Sequence, residues 1–191
     1  PFPGDITSRG EMVRLVASIE DEIGPLDLAV LNAGTYIRFG LDDFSAERFA
    51  EQMEINVIGT VNSLSPVLER MKQRRRGQIA IVSSLSAYRG LPMAAAYGAS
   101  KAAITNMCEA LKPECDANGV GLSVVHPGFV RTPLTDKNDF PMPFLMEPDQ
   151  AARRLIYGLK NKTFEITFPT RFALIMKFIR FLPYSLYFSM A

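Results

Sequence analysis

Four short apolar segments alternate with longer helical segments along the chain, and this alternation limits the possible folds more than any other feature. The four segments are LDLAVLNAG (26–34), QIAIVSS (78–84), GLSVVHPG (121–128) and FEITF (164–168). Short runs that are mostly apolar, without strict alternation, are typical of strands buried on both faces of a sheet. Because helix-length segments separate them, they predict βαβ units, and hence an α/β fold with a Rossmann-like, three-layer parallel sheet.

The connecting segments carry signals for the ends of helices. Ser8 followed by Glu11 is a capping-box pattern, and Ser45 suits the N-terminal cap of a long helix. Pro148 suits the first turn of the helix before the last strand. Together with the apolar periodicity, these signals predict helices over about 8–23, 45–75, 94–118 and 148–161.

The bulk composition fits one domain and argues against several classes of function. Of the 191 residues, 48% are hydrophobic and 21% are charged, which is typical of a globular protein with one core. The net charge of +1 does not indicate binding to nucleic acid. The cysteine and histidine residues lack the spacing of a metal site, so no metal is predicted. Residues 1–23 show no secretory signal pattern, so we expect a cytoplasmic protein.

Small and polar residues follow three of the predicted strands. They are Asn32, Gly34, Ser83, Ser84, Pro127 and Gly128. In parallel sheets, ligands bind beyond the carboxyl ends of the strands, so these residues indicate a binding site at that edge. His126 precedes this edge on the third strand and is interpreted either as an acid/base or as a packed strand-end histidine.

Tyr97 and Lys101 lie one helical turn apart on the helix predicted over 94–118. A neighbouring ammonium group favours the phenolate and lowers the tyrosine pKa from its usual value of about 10. The pair therefore indicates a tyrosine that exchanges a proton with an alcohol or a carbonyl, with Ser84 as a hydrogen-bond donor to the same oxygen. The alternative is a core aromatic residue beside a lysine that extends along apolar surface.

The order of these motifs resembles that of the short-chain dehydrogenase/reductase family over about residues 4–168. LNAG (31–34) is similar to the N-A-G turn of the family, and YGASK (97–101) is similar to its Y-x-x-x-K motif. Ser84 precedes Tyr97 by thirteen residues, which is the usual interval of the family. HPGFVRT (126–132) is similar to the P-G-x-x-x-T motif.

The resemblance implies an NAD(P)-dependent oxidoreductase that interconverts an alcohol and a ketone or aldehyde. Tyr97 would be the acid/base, Lys101 would lower its pKa and hold the nicotinamide ribose, and Ser84 would orient the substrate oxygen. Asn56 would hold a water molecule in a proton relay to Lys101. The cofactor, NADP or NAD, would contact Asp5, Asn32, Ala33, Gly34, Tyr97, Lys101, Pro127, Gly128, Val130 and Thr132.

The glycine-rich turn of the family, T-G-x-x-x-G-x-G, has no counterpart in this sequence. By resemblance, residues 1–168 form a partial Rossmann-fold domain without the first strands, and 169–191 form a hydrophobic, basic helical tail. The sequence is expected to be a fragment; the alternative is a shortened, non-catalytic module for oligomerisation or binding. The strand over 26–34 would then be an exposed edge, with self-association and weak cofactor binding as expected consequences.

Apolar residues cluster around the predicted site and indicate a hydrophobic alcohol or carbonyl substrate, unless they only pack beneath a loop. They are Leu85, Tyr88, Leu91, Met93, Phe129, Leu134, Phe140, Met142, Phe144, Leu145 and Met146. A stripe of small residues on the Tyr97 helix, together with the resemblance, predicts a homodimer or homotetramer. The stripe comprises Ala99, Ala103, Asn106 and Ala110.

The segment over 171–188 is apolar but is interrupted by Lys177, Arg180 and Pro183. These interruptions argue against a membrane-spanning helix. Three interpretations remain open for this basic and aromatic segment: peripheral contact with a membrane surface, a cover over the substrate pocket, or packing against a partner subunit.

Overall fold

A parallel sheet of four strands in the order β1-β2-β3-β4 forms the centre of the structure. The computed structural model describes residues 1–137 and 139–190. The strands are β1 (Leu28–Leu31), β2 (Gln78–Val82), β3 (Gly121–Pro127) and β4 (Glu165–Phe168). Each strand lies within the segment that was predicted to form it, and the α/β fold is confirmed.

The described residues form seven α-helices, of which the first precedes the first strand and the others lie between or after the strands. The helices are α1 (Arg9–Glu22), α2 (Ala46–Met53), α3 (Gly59–Gln73), α4 (Ala95–Ala117), α5 (Pro148–Lys160), α6 (Thr170–Phe181) and α7 (Tyr184–Phe188). The long helix predicted over 45–75 contains α2 and α3, joined without a break by a π-helical turn (Glu54–Ile58). The α6 and α7 helices form the predicted tail, whose division from the preceding domain stays a prediction.

The two faces of the sheet pack against different helices, which gives the three layers that were predicted. Ile79 and Ile81 of β2 lie in one apolar cluster with side chains of α1, α3 and α4. Ala80, between them, lies in a second cluster with Ala151 and Leu159 of α5. Successive residues of a strand point to opposite faces, so both clusters are built from the same strand.

The prediction that the first strand is buried on both faces is wrong for β1. Ala29 and Leu31 pack against the larger cluster, but Leu28 and Val30 are 44% and 40% exposed. The reason is topological: among the described strands, β1 pairs only with β2 and is an edge strand. Its position at the edge, expected from the sequence, leaves one face open.

Ser8 is the N-cap residue of helix α1, but the predicted capping box does not form. The Ser8 backbone is extended and its side chain makes no capping hydrogen bond, while its amide donates to the Asp5 carbonyl at 3.0 Å. At the start of α2, the Ser45 hydroxyl does accept from the Arg48 amide, at 3.3 Å. One of the two predicted caps therefore forms as expected.

We expect Gly119→Ala to lower the free energy of unfolding by about 2–3 kcal/mol, because a left-handed φ and a close contact both oppose a side chain there. Gly119 has a φ of +72°, and a Cβ atom would lie 2.5 Å from the Arg75 carbonyl oxygen. Gly90→Ala is the matched control, since Gly90 has no atom within 4 Å of such a Cβ. Urea denaturation measures both variants, and equal losses would contradict the prediction.

Candidate active site

A cleft of about 440 Å³ lies at the carboxyl ends of β1, β2 and β3 and is closed on one side by the first turns of α4. Tyr97 and Lys101 of α4 line this cleft, and so do residues that follow each of the three strands. These include Asn32 and Gly34 after β1, Ser83 and Ser84 after β2, and Pro127, Gly128, Val130 and Thr132 at and after β3.

The pKa of Tyr97 is raised above its usual value, chiefly because burial disfavours the phenolate. A hydrogen bond with the Ser84 hydroxyl acts in the opposite direction and is the smaller effect. This direction is opposite to the one expected from the neighbouring lysine. The physical reason is position: Lys101 Nζ lies 5.7 Å from the centre of the Tyr97 ring, and its ammonium donates to a backbone carbonyl.

Lys101 is one of the most enclosed charged side chains in the described structure, with 5% of its surface exposed. Its Nζ donates to the Val82 carbonyl at the end of β2, at 2.9 Å. Burial lowers the pKa of Lys101 to about 8. The Ser83 hydroxyl donates to the Lys101 carbonyl at 2.8 Å, which ties the start of α4 to the end of β2.

Asn56 is fully buried in the π-helical turn and holds the loop that follows β1. Its Oδ1 accepts from the Thr35 amide at 2.7 Å, and its Nδ2 donates to the Thr35 carbonyl at 3.0 Å. Nδ2 also donates to Ser100 Oγ at 3.0 Å, on the helix that carries Tyr97 and Lys101. A π-helical turn is often found at a functional site, and here it places a carboxamide between the loop and α4.

Gly34 lets this loop approach the lysine closely. A Cβ atom on Gly34 would lie 3.2 Å from Asn56 Oδ1 and 3.4 Å from Lys101 Nζ. The loop backbone therefore forms a wall of the cleft beside the lysine amine. This close approach, the enclosed amine and the strand-end backbone fit the nicotinamide end of a dinucleotide.

Two residues of the predicted cofactor set lie outside the cleft. Ala33 lines a groove beside β1 instead. The exposed Asp5 carboxylate accepts from the Thr7 amide at 2.9 Å and from the Thr7 hydroxyl at 2.8 Å. These hydrogen bonds lower the pKa of Asp5 and fix a turn before α1. Neither residue is brought to Tyr97, because both lie toward the β1 edge of the sheet.

A second, apolar pocket of about 170 Å³ lies on the other side of Ser84 and Tyr97. Of the apolar residues singled out in the sequence, Leu85, Leu91, Phe129, Leu134 and Phe140 line it. Three large side chains of the lining were not singled out in the sequence: Tyr36, Phe172 and Met176. The last two belong to the 171–188 segment, for which a cover over the pocket was one of the open interpretations. Tyr36 packs edge-to-face on Tyr97 with ring centres 5.0 Å apart, and its place two residues after Gly34 was an available signal.

His126 is packed within β3 and lines neither cavity. Its ring stacks on Tyr88 with a centre-to-centre distance of 4.8 Å, and its Nε2 is 3.0 Å from the Thr105 hydroxyl. Of the two interpretations from the sequence, the structure supports the packed strand-end histidine. Burial lowers the pKa of His126 to about 4, so the ring is neutral near pH 7.

The low pKa of His126 predicts a loss of stability in acid. The ordinary histidine pKa is 6.5, so between about pH 6.5 and pH 4 the unfolded chain binds the proton and the folded chain does not. The free energy of unfolding should therefore fall by up to about 3 kcal/mol as the pH drops through this range. Urea denaturation of His126→Gln should show a shallower pH dependence than wild type, and an identical slope would contradict the prediction.

The parallel sheet and the tyrosine–lysine pair at its strand ends together define an α/β protein of the dehydrogenase type. Residues 1–141 match the family model described as short chain dehydrogenase. An oxidoreductase of Myxococcus xanthus is 36% identical over 187 residues, which are 98% of this chain and 74% of the relative. The chain therefore belongs to the short-chain dehydrogenase family of oxidoreductases.

Solved structures show the same fold. A short-chain dehydrogenase from Streptomyces avermitilis superimposes with a TM-score of 0.79 at 21% identity, covering 91% of this chain and 71% of the other. A gluconate 5-dehydrogenase from Burkholderia cenocepacia, solved with NADP and tartrate, has a TM-score of 0.66 at 24% identity. That match covers 71% of this chain and 54% of the other.

Proposed function

We propose that this chain belongs to an NAD(P)-dependent oxidoreductase that interconverts an alcohol and a ketone or aldehyde on a hydrophobic substrate. One observation carries the proposal: Ser84 and Tyr97 line both the cleft at the strand ends and the apolar pocket. A group held in the cleft and a group held in the pocket would therefore meet at these two hydroxyls. Hydride transfer with proton exchange needs this arrangement.

The cleft is assigned to the nicotinamide end of NADP or NAD, which supplies or accepts the hydride when bound. The residues that would hold it are Asn32, Gly34, Lys101, Pro127, Gly128, Val130 and Thr132. The NADP in the Burkholderia structure supports this class of cofactor. The assignments of Asp5 and Ala33 to the cofactor remain predictions, since neither residue lines the cleft.

Tyr97 is assigned as the proton donor in carbonyl reduction. Its raised pKa keeps the hydroxyl protonated near pH 7, and Ser84 lies where it can bind the same substrate oxygen. Lys101 would stabilise the phenolate that remains after proton transfer, because a nearby positive charge favours the ionised form. Asn56 is assigned to positioning the loop against the cleft through Thr35; its role in holding a water molecule stays a prediction.

We propose an apolar substrate because apolar side chains line most of the pocket beside Tyr97. Leu85, Leu91 and Phe129 contribute to its wall, with Phe172 and Met176 from α6. A sugar acid, as named for the Burkholderia enzyme, would leave several of its hydroxyls without partners in such a pocket, which is unfavourable. A flat or chain-like alcohol would bury apolar surface there instead.

Oxidation of a panel of alcohols from sugar acids to long-chain and polycyclic secondary alcohols, with NAD and NADP, tests the proposal. We expect turnover to rise with the apolar character of the alcohol. The rate of turnover is measured from the absorbance of the reduced nicotinamide that forms. Because weak cofactor binding is expected of this chain, both nucleotides are supplied at saturating concentration. No turnover of any alcohol under these conditions would favour the non-catalytic module.

We also propose a homodimer or homotetramer that forms through α4 and its neighbour α3. Ala99, Asn106 and Ala110 are exposed on α4, and a groove of about 470 Å³ separates this helix from α3. Small exposed residues allow the backbones of two helices to approach closely. Sedimentation equilibrium measures the oligomeric state, and a monomer at all protein concentrations would contradict this assignment.

A further inference from the structure

Helix α6 has two apolar faces, and only one of them packs against other residues of the described structure. On the inner face, Phe172 and Met176 line the apolar pocket, and Ala173 is buried against the segment that follows Ser84. On the opposite side of the helix, Leu174, Phe178 and Phe181 are exposed: 67% of the Phe178 surface and 82% of the Phe181 surface are accessible to solvent. A helix at the surface of a soluble protein normally has one apolar stripe, so this second, exposed apolar side indicates a binding surface.

Helix α7 also carries exposed apolar side chains. Tyr184 and Phe188 stack on each other with ring centres 5.7 Å apart, and both are exposed. We call the exposed apolar side chains of the two helices the outer face: Leu174, Ile175, Phe178, Phe181, Tyr184, Leu186 and Phe188.

The two helices are held in place, so the outer face is not a product of a loose terminus. The Arg89 guanidinium donates to the Arg180 carbonyl at 3.3 Å and to the Leu182 carbonyl at 3.2 Å. It also lies 4.5 Å and 4.4 Å from the ring centres of Tyr184 and Tyr187. These contacts join α6 and α7 to the segment after the catalytic-site serine.

The charges around the outer face point to an anionic partner. Residues 166–191 contain no aspartate or glutamate, and Arg171 is exposed at the start of α6. Lys177, on the same helix, is paired with Glu165.

We propose that the outer face binds an anionic lipid surface, with the aromatic residues in the headgroup region and Arg171 beside a lipid phosphate. No helix in the described part of the chain is long and apolar enough to cross a membrane, so the two helices would lie along the surface. The pocket would then lie about one helix diameter, roughly 10 Å, from the lipid. This inference does not depend on the proposed chemistry.

Co-sedimentation of the full chain with vesicles of phosphatidylcholine and phosphatidylglycerol, against vesicles of phosphatidylcholine alone, tests the proposal. We expect binding to the anionic vesicles that weakens with added salt. The double variant Phe178→Ser/Phe181→Ser should bind about tenfold or more weakly, because it removes two aromatic side chains from the interface. Arg171→Gln should bind about fivefold more weakly.

Ile156→Ser/Tyr157→Ser is the matched control, since both side chains are exposed on α5, away from the outer face. It should bind like wild type. Circular dichroism checks that all variants keep their helices. No binding of wild type to anionic vesicles, or equal binding of the double variant, would overturn the proposal. Loss of a dimer in the double variant, seen by sedimentation, would instead assign the face to a second copy.

Discussion

Replacement of Tyr97 by phenylalanine is expected to lower kcat by about 10²–10⁴-fold, the usual contribution of a positioned acid/base. The change removes one oxygen and keeps the ring that packs on Tyr36 at 5.0 Å. Because the proton donor is lost while the walls of both cavities remain, the affinity for NADP or NAD and the free energy of unfolding should change little. Steady-state turnover, calorimetry and urea denaturation measure the three quantities.

Tyr36→Phe is the matched control, because Tyr36 lines the same apolar pocket and its hydroxyl donates weakly to the Met93 carbonyl, at 3.4 Å. We expect this variant to keep kcat within a few-fold of wild type. Equal losses in the two variants would mean that the pocket, and not the Tyr97 hydroxyl, sets the rate. Retained turnover in Tyr97→Phe would overturn the assigned chemistry.

Replacement of Lys101 by methionine is expected to have opposite effects on activity and stability. Turnover should fall by about 10²-fold or more, because the phenolate of Tyr97 loses its stabilising charge. The free energy of unfolding at pH 7 should rise by about 1–2 kcal/mol, because a buried ammonium is replaced by an apolar side chain of similar length. The lost hydrogen bond to the Val82 carbonyl keeps this gain below the full effect of removing the charge.

The free energies of unfolding of wild type and Lys101→Met should depend differently on pH. The lysine pKa is about 8 in the folded chain against an ordinary value of 10.5, so the unfolded chain binds more protons between these values. The free energy of unfolding of wild type should therefore rise as the pH increases from about 8 to above 10. Over this range the difference in stability between Lys101→Met and wild type should shrink.

Lys112→Met, on the same helix, is the control for helix propensity, since Lys112 is paired with Asp116 at the surface. It should show no gain at neutral pH. Urea denaturation of the three proteins across this pH range tests the prediction. A stability gap between wild type and Lys101→Met that does not change with pH would contradict it.

Much of the fold could be predicted because its signals are local. Apolar runs such as QIAIVSS, separated by helix-length segments, predicted the four strands, their parallel arrangement and the helices between them. The rule that parallel strands bind ligands at their carboxyl ends then placed Asn32, Ser84 and Pro127 around one cleft, where the structure has them.

Other features depend on contacts between residues far apart in the chain. The direction of the Tyr97 pKa follows from burial, which spacing along a helix cannot show. The capping-box pattern at Ser8 gave no side-chain bond, because Asp5 and Thr7 form the turn there. The exposed face of β1 follows from its edge position, although its composition is that of a buried strand.

The α/β class, the order of the elements and the residues at the strand ends could be inferred from the sequence, because periodicity and motif spacing act over short distances. The sequence left a cover over the pocket as one of three interpretations of the 171–188 segment. The packing of α6 shows that Phe172 and Met176 line the apolar pocket while the other face of this helix is exposed. Burial and charge depend on which segments pack together, and this packing joins α6 to residues near position 90 through long-range contacts such as those of Arg89.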